Sequence, residues 1–202
     1  MNTAMRDTTT VPAGSFARIQ PRRGLWSDAW RRLRRNRAAL LGLAIVLLLG
    51  GIALFADRLA PYPYAEQHVD KIFQPIGTPG FPLGTDQLGR DTLSRLLYGA
   101  RISLGVALLA QAIVLVLGVP IIVAVTLGIP QYILLEATLS FIGIGAPPPM
   151  PSWGAMINEG FNAIFSFPQM VVLPGAAIAL PMLSFTFLGD GLRDALDPHA
   201  QS

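Results

Sequence analysis

Residues Arg31–Ala56, "RRLRRNRAALLGLAIVLLLGGIALFA", place a cluster of arginines directly before a long apolar run. Its last nineteen residues, Ala38–Ala56, carry no charge, and about 20 apolar residues span a bilayer as a helix. Cations before such a helix are typical of the cytoplasmic side of a membrane span, so the position of the arginines favours a membrane over nucleic acid. A cleaved signal peptide has a shorter apolar core, of about 7 to 15 residues. The stretch predicts a retained span after a basic cytoplasmic arm, residues 1–37.

The composition of the whole chain agrees with a membrane protein. Of its 202 residues, 52% are hydrophobic and 13% are charged, and the charged share is about half that of a globular protein. The chain has no cysteine, which excludes disulfides, thiolate metal sites and a thiol nucleophile. These features predict an all-α integral membrane protein.

The longest uncharged run predicts two of its helices. Ile102–Leu135 has no charge over 34 residues, and a single helix of that length would reach about 51 Å, against a hydrocarbon core of about 30 Å. The run must therefore break, at Gly118–Pro120 or at Gly128–Pro130. The first point divides it more evenly and is favoured, which gives spans Ile102–Leu117 and Ile121–Phe141.

A last uncharged run, Gly160–Gly189, contains three prolines and predicts a kinked span from about Pro168 to Leu188. The sum is about four transmembrane helices. An even number places both termini on one side, and the arginine cluster predicts that this side is cytoplasmic. The predicted units are the arm, a transmembrane domain over residues 38–198 and a tail over residues 199–202.

Phosphate-binding and catalytic patterns fit the chain poorly. Gly84–Gly89 has the glycine spacing of a phosphate loop, but Arg90 and Asp91 follow it where that loop needs Lys and Ser or Thr. The two histidines, His68 and His199, belong to no metal-binding array. No nucleophile–base pair is visible, so we expect no enzyme, no cofactor and no metal.

Local rules give a structural interpretation of the segment after Phe81. Thr85 or Asp86 is expected to cap a helix, and Asp91 is expected to pair with Arg95 one turn later. Leucines 93, 96 and 97 would form one apolar face. The segment is therefore predicted to be an amphipathic helix at the membrane surface, which enters the next span through Arg101.

Two features of the next polar stretch, Leu135–Met156, call for separate predictions. Glu136 stands alone among apolar residues, and an ionisable group at membrane depth is a functional candidate. A structural role, with a hydrogen bond to Ser140 or to a neighbouring helix, is favoured over that alternative. The prolines that follow end in Trp153, which is predicted to be an aromatic residue at the membrane interface.

Three ordered motifs carry a resemblance to a known family. "PLGTDQLGRDTLSRLLYGARISL" (82–104), "LLEATLSFIGIGAPPPMPSWGAMI" (134–157) and "LGDGLRDALDP" (188–198) closely resemble the C-type permease subunit of bacterial dipeptide, oligopeptide and nickel ABC importers. The resemblance covers the chain from about Trp30 to Pro198. It implies family-motif positions that are structural or face the binding protein: Gly84, Thr85, Asp86, Gly89, Arg90, Asp91, Arg95, Arg101, Glu136, Ser140, Pro148, Trp153, Gly154, Gly189, Asp190, Arg193 and Asp194.

The resemblance also implies a location in the cell inner (plasma) membrane and a set of partners. These are a second permease subunit, two cytoplasmic ATPase subunits, an extracytoplasmic substrate-binding protein and the lipid bilayer, without nucleic acid. The stretch Phe81–Leu104 would then lie outside the membrane and face the binding protein. The implied cargo is short peptides, with nickel chelates in a related branch.

One departure from the family pattern bears on function. Such permeases have six spans and a cytoplasmic coupling loop with a Glu-Ala-Ala-x-x-x-Gly signature that docks onto the ATPase, and this sequence has no such signature. The second span runs directly into what resembles the fifth, with a junction near Gly118–Ile121. Two hypotheses follow: a peptide-importer permease that is internally shortened, or a membrane scaffold or defective remnant that does not transport.

Overall fold

The computed structural model describes Arg31, residues 33–116 and residues 128–196, with side chains as far as residue 194. Within these ranges all the regular secondary structure is helical, and residues 60–91 form an irregular segment. Six helices have both ends within the described residues, in chain order: α1 (Arg37–Leu54), α2 (Ala56–Leu59), α3 (Thr92–Val116), α4 (Ile129–Ile142), α5 (Trp153–Phe161) and α6 (Gln169–Leu196).

Three of these helices are long and apolar enough to cross a membrane: Arg37–Leu54, Thr92–Val116 and Gln169–Asp194. A fourth, α4, is apolar but has 14 residues, which is about 21 Å of helix. The all-α membrane fold predicted from sequence is confirmed, with three full spans and one shorter helix. The predicted hairpin at Gly118–Pro120 and the start of the predicted span at Ile121 lie outside the described residues.

Local signals account for the helix ends. The side chain of Asn36 accepts hydrogen bonds from the backbone N–H groups of Ala38 and Ala39 and so starts α1. Gly143, with φ of 91°, ends α4 in the left-handed conformation that glycine adopts most easily. Helix α6 continues through Pro174 and Pro181, so these prolines do not divide the predicted last span.

The bundle packs α1 closely against α6. A methyl group built on Gly42 would lie 2.5 Å from the carbonyl oxygen of Ser184, and one built on Gly191 would lie 2.2 Å from the Cβ of Ala39. Small residues allow such close approach of helices where lipid supplies no hydrophobic driving force. The contact also places the start of α1 and the end of α6 at the same end of the bundle, here called the Gly191 end.

The opposite end of the bundle is defined by Arg101. Its Nε donates to the carbonyl oxygen of Ala53 at 2.9 Å, near the end of α1, so α1 and α3 run antiparallel. The apolar core between these ends includes Leu104, Ile133 and Ile178. The segment 60–91 lies at this Arg101 end because it connects α2 to α3.

Candidate functional site

Four charged side chains meet at the Arg101 end and form what we call the ion-pair cluster: Asp86, Arg90, Arg95 and Glu159. Asp86 Oδ2 accepts from Arg90 Nε at 2.7 Å and from Arg95 Nη1 at 2.6 Å. Glu159 Oε2 accepts from both arginines, with Arg95 Nη1 at 2.6 Å. Asp86, Arg90 and Arg95 are buried, at 3%, 5% and 2% relative exposure. The cluster therefore fastens the segment 60–91 and the start of α3 to α5.

The motif glycines and Thr85 shape the loop that carries Asp86. Gly84 and Gly89 have φ of 77° and 72°, and a side chain at either position would collide with the backbone of Gln74 or His68. Thr85 Oγ1 accepts from the backbone N–H of Gln74 at 2.9 Å and donates to the carbonyl oxygen of Lys71. The loop thus folds back on itself. Gly84 and Gly89 are required there because the backbone of Gln74 and of His68 leaves no room for a side chain.

The local predictions for this segment are corrected by the structure. Asp91, rather than Thr85 or Asp86, caps the helix: its Oδ2 accepts from the N–H and the hydroxyl of Ser94, each at 2.7 Å. Arg95 bonds to Asp86 and Glu159 instead of Asp91. Asp91 is the residue immediately before Thr92, the first residue of α3, and therefore occupies the N-cap position of that helix.

The predicted surface helix is also corrected. Residues 92–116 form one continuous helix, so no separate amphipathic helix precedes the span. The leucines expected to form its apolar face, residues 93, 96 and 97, are half-buried, whereas Ser94 and Arg95 are buried. The polar face is the inner one because the ion-pair cluster satisfies its charges.

Trp153 joins the first and second motifs and is not an interfacial aromatic residue. It is 1% exposed, and its indole N–H donates to the carbonyl oxygen of Leu96 at 3.2 Å. Its ring lies against Gly99, where an added methyl would be 2.9 Å from it, and Gly154 packs on the backbone of Ala137. The expectation of a membrane-interface tryptophan was wrong because Gly99 on the facing helix α3 leaves room to bury the ring.

Glu136 and Ser140 lie within the bundle on α4. Glu136 is 6% exposed, and its Oε1 accepts from the Ser140 hydroxyl at 2.7 Å, the hydrogen bond expected from sequence. Its Oε2 has no hydrogen-bond partner among the described residues. Glu136 also lines a cavity of about 300 Å³, which shares Ile102 with a second cavity closer to the Arg101 end.

Replacing Glu136 tests whether it is a structural acid. Glu136→Gln keeps the shape and the bond to Ser140, so we expect nearly normal insertion and yield of folded protein. Glu136→Leu leaves the Ser140 hydroxyl without this acceptor and should reduce stability by about 1 kcal/mol, a typical net contribution of an intramolecular hydrogen bond. Folded yield and thermal stability in detergent are the measurements. Equal values for the two variants would contradict a structural role.

The remaining predicted positions lie apart from the cluster. Pro148 is exposed on the loop between α4 and α5. At the Gly191 end, Gly189 is buried, while the charged motif residues Asp190, Arg193 and Asp194 are exposed. The structure thus brings the first two motifs together and leaves the third at the opposite end of the bundle.

Arg101 forms a second, more exposed ion pair. Its Nη2 lies 2.9 Å from Asp57 Oδ2, and the two side chains are 39% and 63% exposed. The hydrogen bond from Arg101, aided by the Tyr98 hydroxyl, holds the pKa of the Asp57 carboxyl below its usual range. Asp57 is therefore ionised at neutral pH, and a neutral pair of opposite charges faces the second cavity.

Sequence reasoning missed three polar residues: Asp57 and Glu159 at the Arg101 end, and Gln111 farther along α3. Glu159 is the one charged residue between Glu136 and Asp190, which was a signal that it pairs with a buried cation. Gln111 is 3% exposed, and its amide has no hydrogen-bond partner among the described residues. Its polar side chain within the uncharged run Ile102–Leu135 was the available signal.

Comparison with known proteins identifies relatives of this chain. Residues 24–75 match the family described as the N-terminal TM domain of oligopeptide transport permease C. The chain is 30% identical over 276 residues to the di/tripeptide transport system permease protein DppC of Pseudomonas aeruginosa, covering 85% of this chain and 91% of that protein. It is 32% identical over 275 residues to the glutathione transport system permease protein GsiD of Shigella flexneri, covering 86% and 90%.

The dipeptide transport system permease protein DppC of Escherichia coli is 29% identical over 276 residues, covering 85% of this chain and 92% of that protein. Because 85% of the 202 residues is about 172, about 104 of the 276 aligned positions hold no residue of this chain. The similarity extends along most of both proteins despite this difference in length. The chain belongs to the DppC/OppC-like family of transport permeases.

Proposed function

We propose that the chain is the permease subunit of an ATP-binding-cassette importer for di- and oligopeptides and forms part of the translocation path. The observation that carries this proposal is its similarity, over about 85% of its length, to permeases named for dipeptide, di/tripeptide and glutathione transport. The substrates in these names are all short peptides. No catalytic role is proposed, because these relatives are transport permeases.

The proposed partners are a second permease subunit, two ATPase subunits and an extracytoplasmic binding protein. The arm before Ala38 and the Gly191 end would be cytoplasmic, since nine of the fifteen Lys and Arg residues lie in residues 1–40. The Arg101 end would then be external. The segment 57–101 has five acidic and five basic residues, which suits contact with a soluble protein.

Cysteine labelling tests this orientation. Single cysteines at Ser15, which lies outside the described residues, and at Asp70, which is exposed on the segment 60–91, suit a chain without native cysteine. We expect an impermeant thiol reagent to label the cysteine at Asp70 in intact cells and the one at Ser15 only after lysis. Labelling of the Ser15 position in intact cells would reverse the proposed orientation.

We further propose that the chain is internally shortened near Gly118–Ile121 and lacks the third and fourth spans and the coupling loop. Two observations support this: about 104 aligned positions have no counterpart here, and the sequence has no Glu-Ala-Ala-x-x-x-Gly signature. Two spans need about 40 residues, which leaves room for the loop. Because the number of missing spans is even, α6 would still cross the membrane in the same direction as the last span of the six-span family.

A chimera tests the permease function separately from the shortening. The central segment of the Escherichia coli dipeptide permease is inserted between Val119 and Pro120, and the chimera is expressed in cells without their own DppC-type subunit. We expect dipeptide uptake, which should disappear when the Walker lysines of the ATPases are replaced. A chimera that is present in the membrane at the relative's level but supports no uptake would overturn the proposed function.

A further inference from the structure

The second cavity, of about 320 Å³, lies where α2, the segment that follows it, the first half of α3 and the proline-rich loop between α4 and α5 meet. Its lining includes Asp57, Tyr64, Tyr98, Arg101 and Met150. Small-molecule sites begin at about 300 Å³, so the cavity has room for a short peptide. Three of these residues, Tyr98, Arg101 and Met150, lie in the family motifs.

The Arg101 guanidinium is held in place by hydrogen bonds that do not use all of its N–H groups. Its Nε and Nη2 donate to the carbonyl oxygens of Ala53 and Leu54, at 2.9 and 3.2 Å. Nη1 and Nη2 each donate to one carboxylate oxygen of Asp57, at 3.3 and 2.9 Å. A guanidinium has five N–H groups, so one N–H on Nη1 has no partner among the described residues. The side chain is fixed and can still donate to a ligand.

Asp57 has the complementary property. It accepts from Arg101 and interacts with the Tyr98 hydroxyl, whereas a carboxylate offers about four acceptor positions. Its side chain is 63% exposed, so an ammonium group can reach it from solvent. The ion pair thus presents one cationic donor and one anionic acceptor side by side.

The walls around the ion pair are aromatic and apolar. The rings of Tyr64 and Tyr98 lie 4.8 Å apart, the Arg101 guanidinium lies 5.6 Å from the centre of the Tyr98 ring, and Met150 is 46% exposed. Tyrosine and methionine surfaces accept varied apolar side chains at little conformational cost. Such walls suit a ligand whose backbone is constant and whose side chains vary.

We propose that this cavity binds the zwitterionic main chain of a short peptide, with its carboxylate at Arg101 and its ammonium group at Asp57. Because the pair is neutral overall, an ion of one sign gains little from it, whereas a zwitterion gains from both groups. The inference rests on the proposed peptide function and adds a substrate site at the external mouth. The Glu136 cavity shares the lining residue Ile102 with this site and is therefore adjacent to it, on the side away from the Arg101 end.

Equilibrium binding to the full chain in lipid nanodiscs tests this site. The probe is radiolabelled alanyl-phenylalanine, and the competitor is the same dipeptide acetylated and amidated so that it carries no charge. We expect saturable binding of the free dipeptide and no competition by the blocked one. Asp57→Asn should weaken binding about tenfold, because a charge-assisted hydrogen bond is lost.

Controls separate the site from folding and from the proposed function. Asp70→Asn removes an exposed aspartate elsewhere on the same external segment and should leave binding unchanged. Tyr64→Ala, which removes a wall without touching the ion pair, should also weaken binding, and a thermal melt verifies the fold of each variant. Absence of saturable binding, or equal affinity in Asp57→Asn and the wild type, would overturn the site, whereas failure of the function itself would appear as absent uptake by the chimera.

Discussion

Cells that express this 202-residue chain together with a full partner permease, both ATPases and the binding protein are expected to show no ATP-dependent dipeptide uptake. An ATPase can bias a permease only through a contact whose free energy differs between the two conformations. In the family that the chain resembles, the coupling loop makes this contact, and its signature is missing from the sequence. Uptake of labelled dipeptide, compared with an empty vector, is the measurement.

No other proposed cytoplasmic segment is suited to replace the loop. The hairpin turn proposed at Gly118–Pro120 comprises three uncharged residues, fewer than one helical turn. The basic arm is suited to anionic lipid headgroups rather than to a shaped groove. The chimera with the restored central segment is the positive control, so absent uptake by the chain and measurable uptake by the chimera would assign the defect to the missing segment. Uptake by the unmodified chain that depends on the Walker lysines would show that the loop is dispensable.

Replacing Asp86 by alanine is expected to cause the largest loss of stability among single substitutions in the described part of the chain. Asp86 accepts from the backbone N–H groups of Leu88 and Arg90 at 2.8 and 2.9 Å and from both arginines of the ion-pair cluster. Without it, two buried guanidinium groups share only Glu159, whose side chain is 26% exposed. Breaking a buried ion pair from one side costs about 3 to 5 kcal/mol.

Thermal unfolding in detergent and proteolysis of the segment 60–91 measure this effect. Asp70→Ala, at an exposed position in the same segment, should change the free energy of unfolding by about 0.5 kcal/mol or less. Asp86→Asn keeps an oxygen for the backbone N–H groups and should fall between the two. Equal unfolding temperatures for Asp86→Ala and Asp70→Ala would show that the cluster does not hold the segment.

The membrane spans could be predicted because hydropathy and helix length are local properties. Ala38–Ala56, the uncharged part of the opening stretch, corresponds to α1 at Arg37–Leu54, and the span predicted from about Pro168 to Leu188 corresponds to the first two thirds of α6, which begins at Gln169. The hydrogen bond between Glu136 and Ser140 was also predictable, since residues four apart face each other on a helix.

The ion-pair cluster could not be derived from local rules. The rule for residues four apart assigned Arg95 to Asp91, but Asp91 is used as the helix cap, and Arg95 reaches Glu159, 64 positions away in sequence. The burial of Trp153 depends on the same long-range packing, because the space for its ring is created by Gly99 on another helix. The partners of Arg95 and Trp153 are set by contacts between residues far apart in sequence, and such contacts cannot be read from a single sequence.

The rate of ATP hydrolysis by the reconstituted complex tests the central claim most directly, namely that the chain keeps the permease bundle but has lost its coupling to the ATPases. The chain, the partner permease and the ATPases are placed in lipid vesicles, and hydrolysis is measured before and after peptide-loaded binding protein is added. We predict no increase in the rate with the 202-residue chain and a clear increase with the chimera. A rise in hydrolysis with the unmodified chain, dependent on the loaded binding protein, would contradict this account.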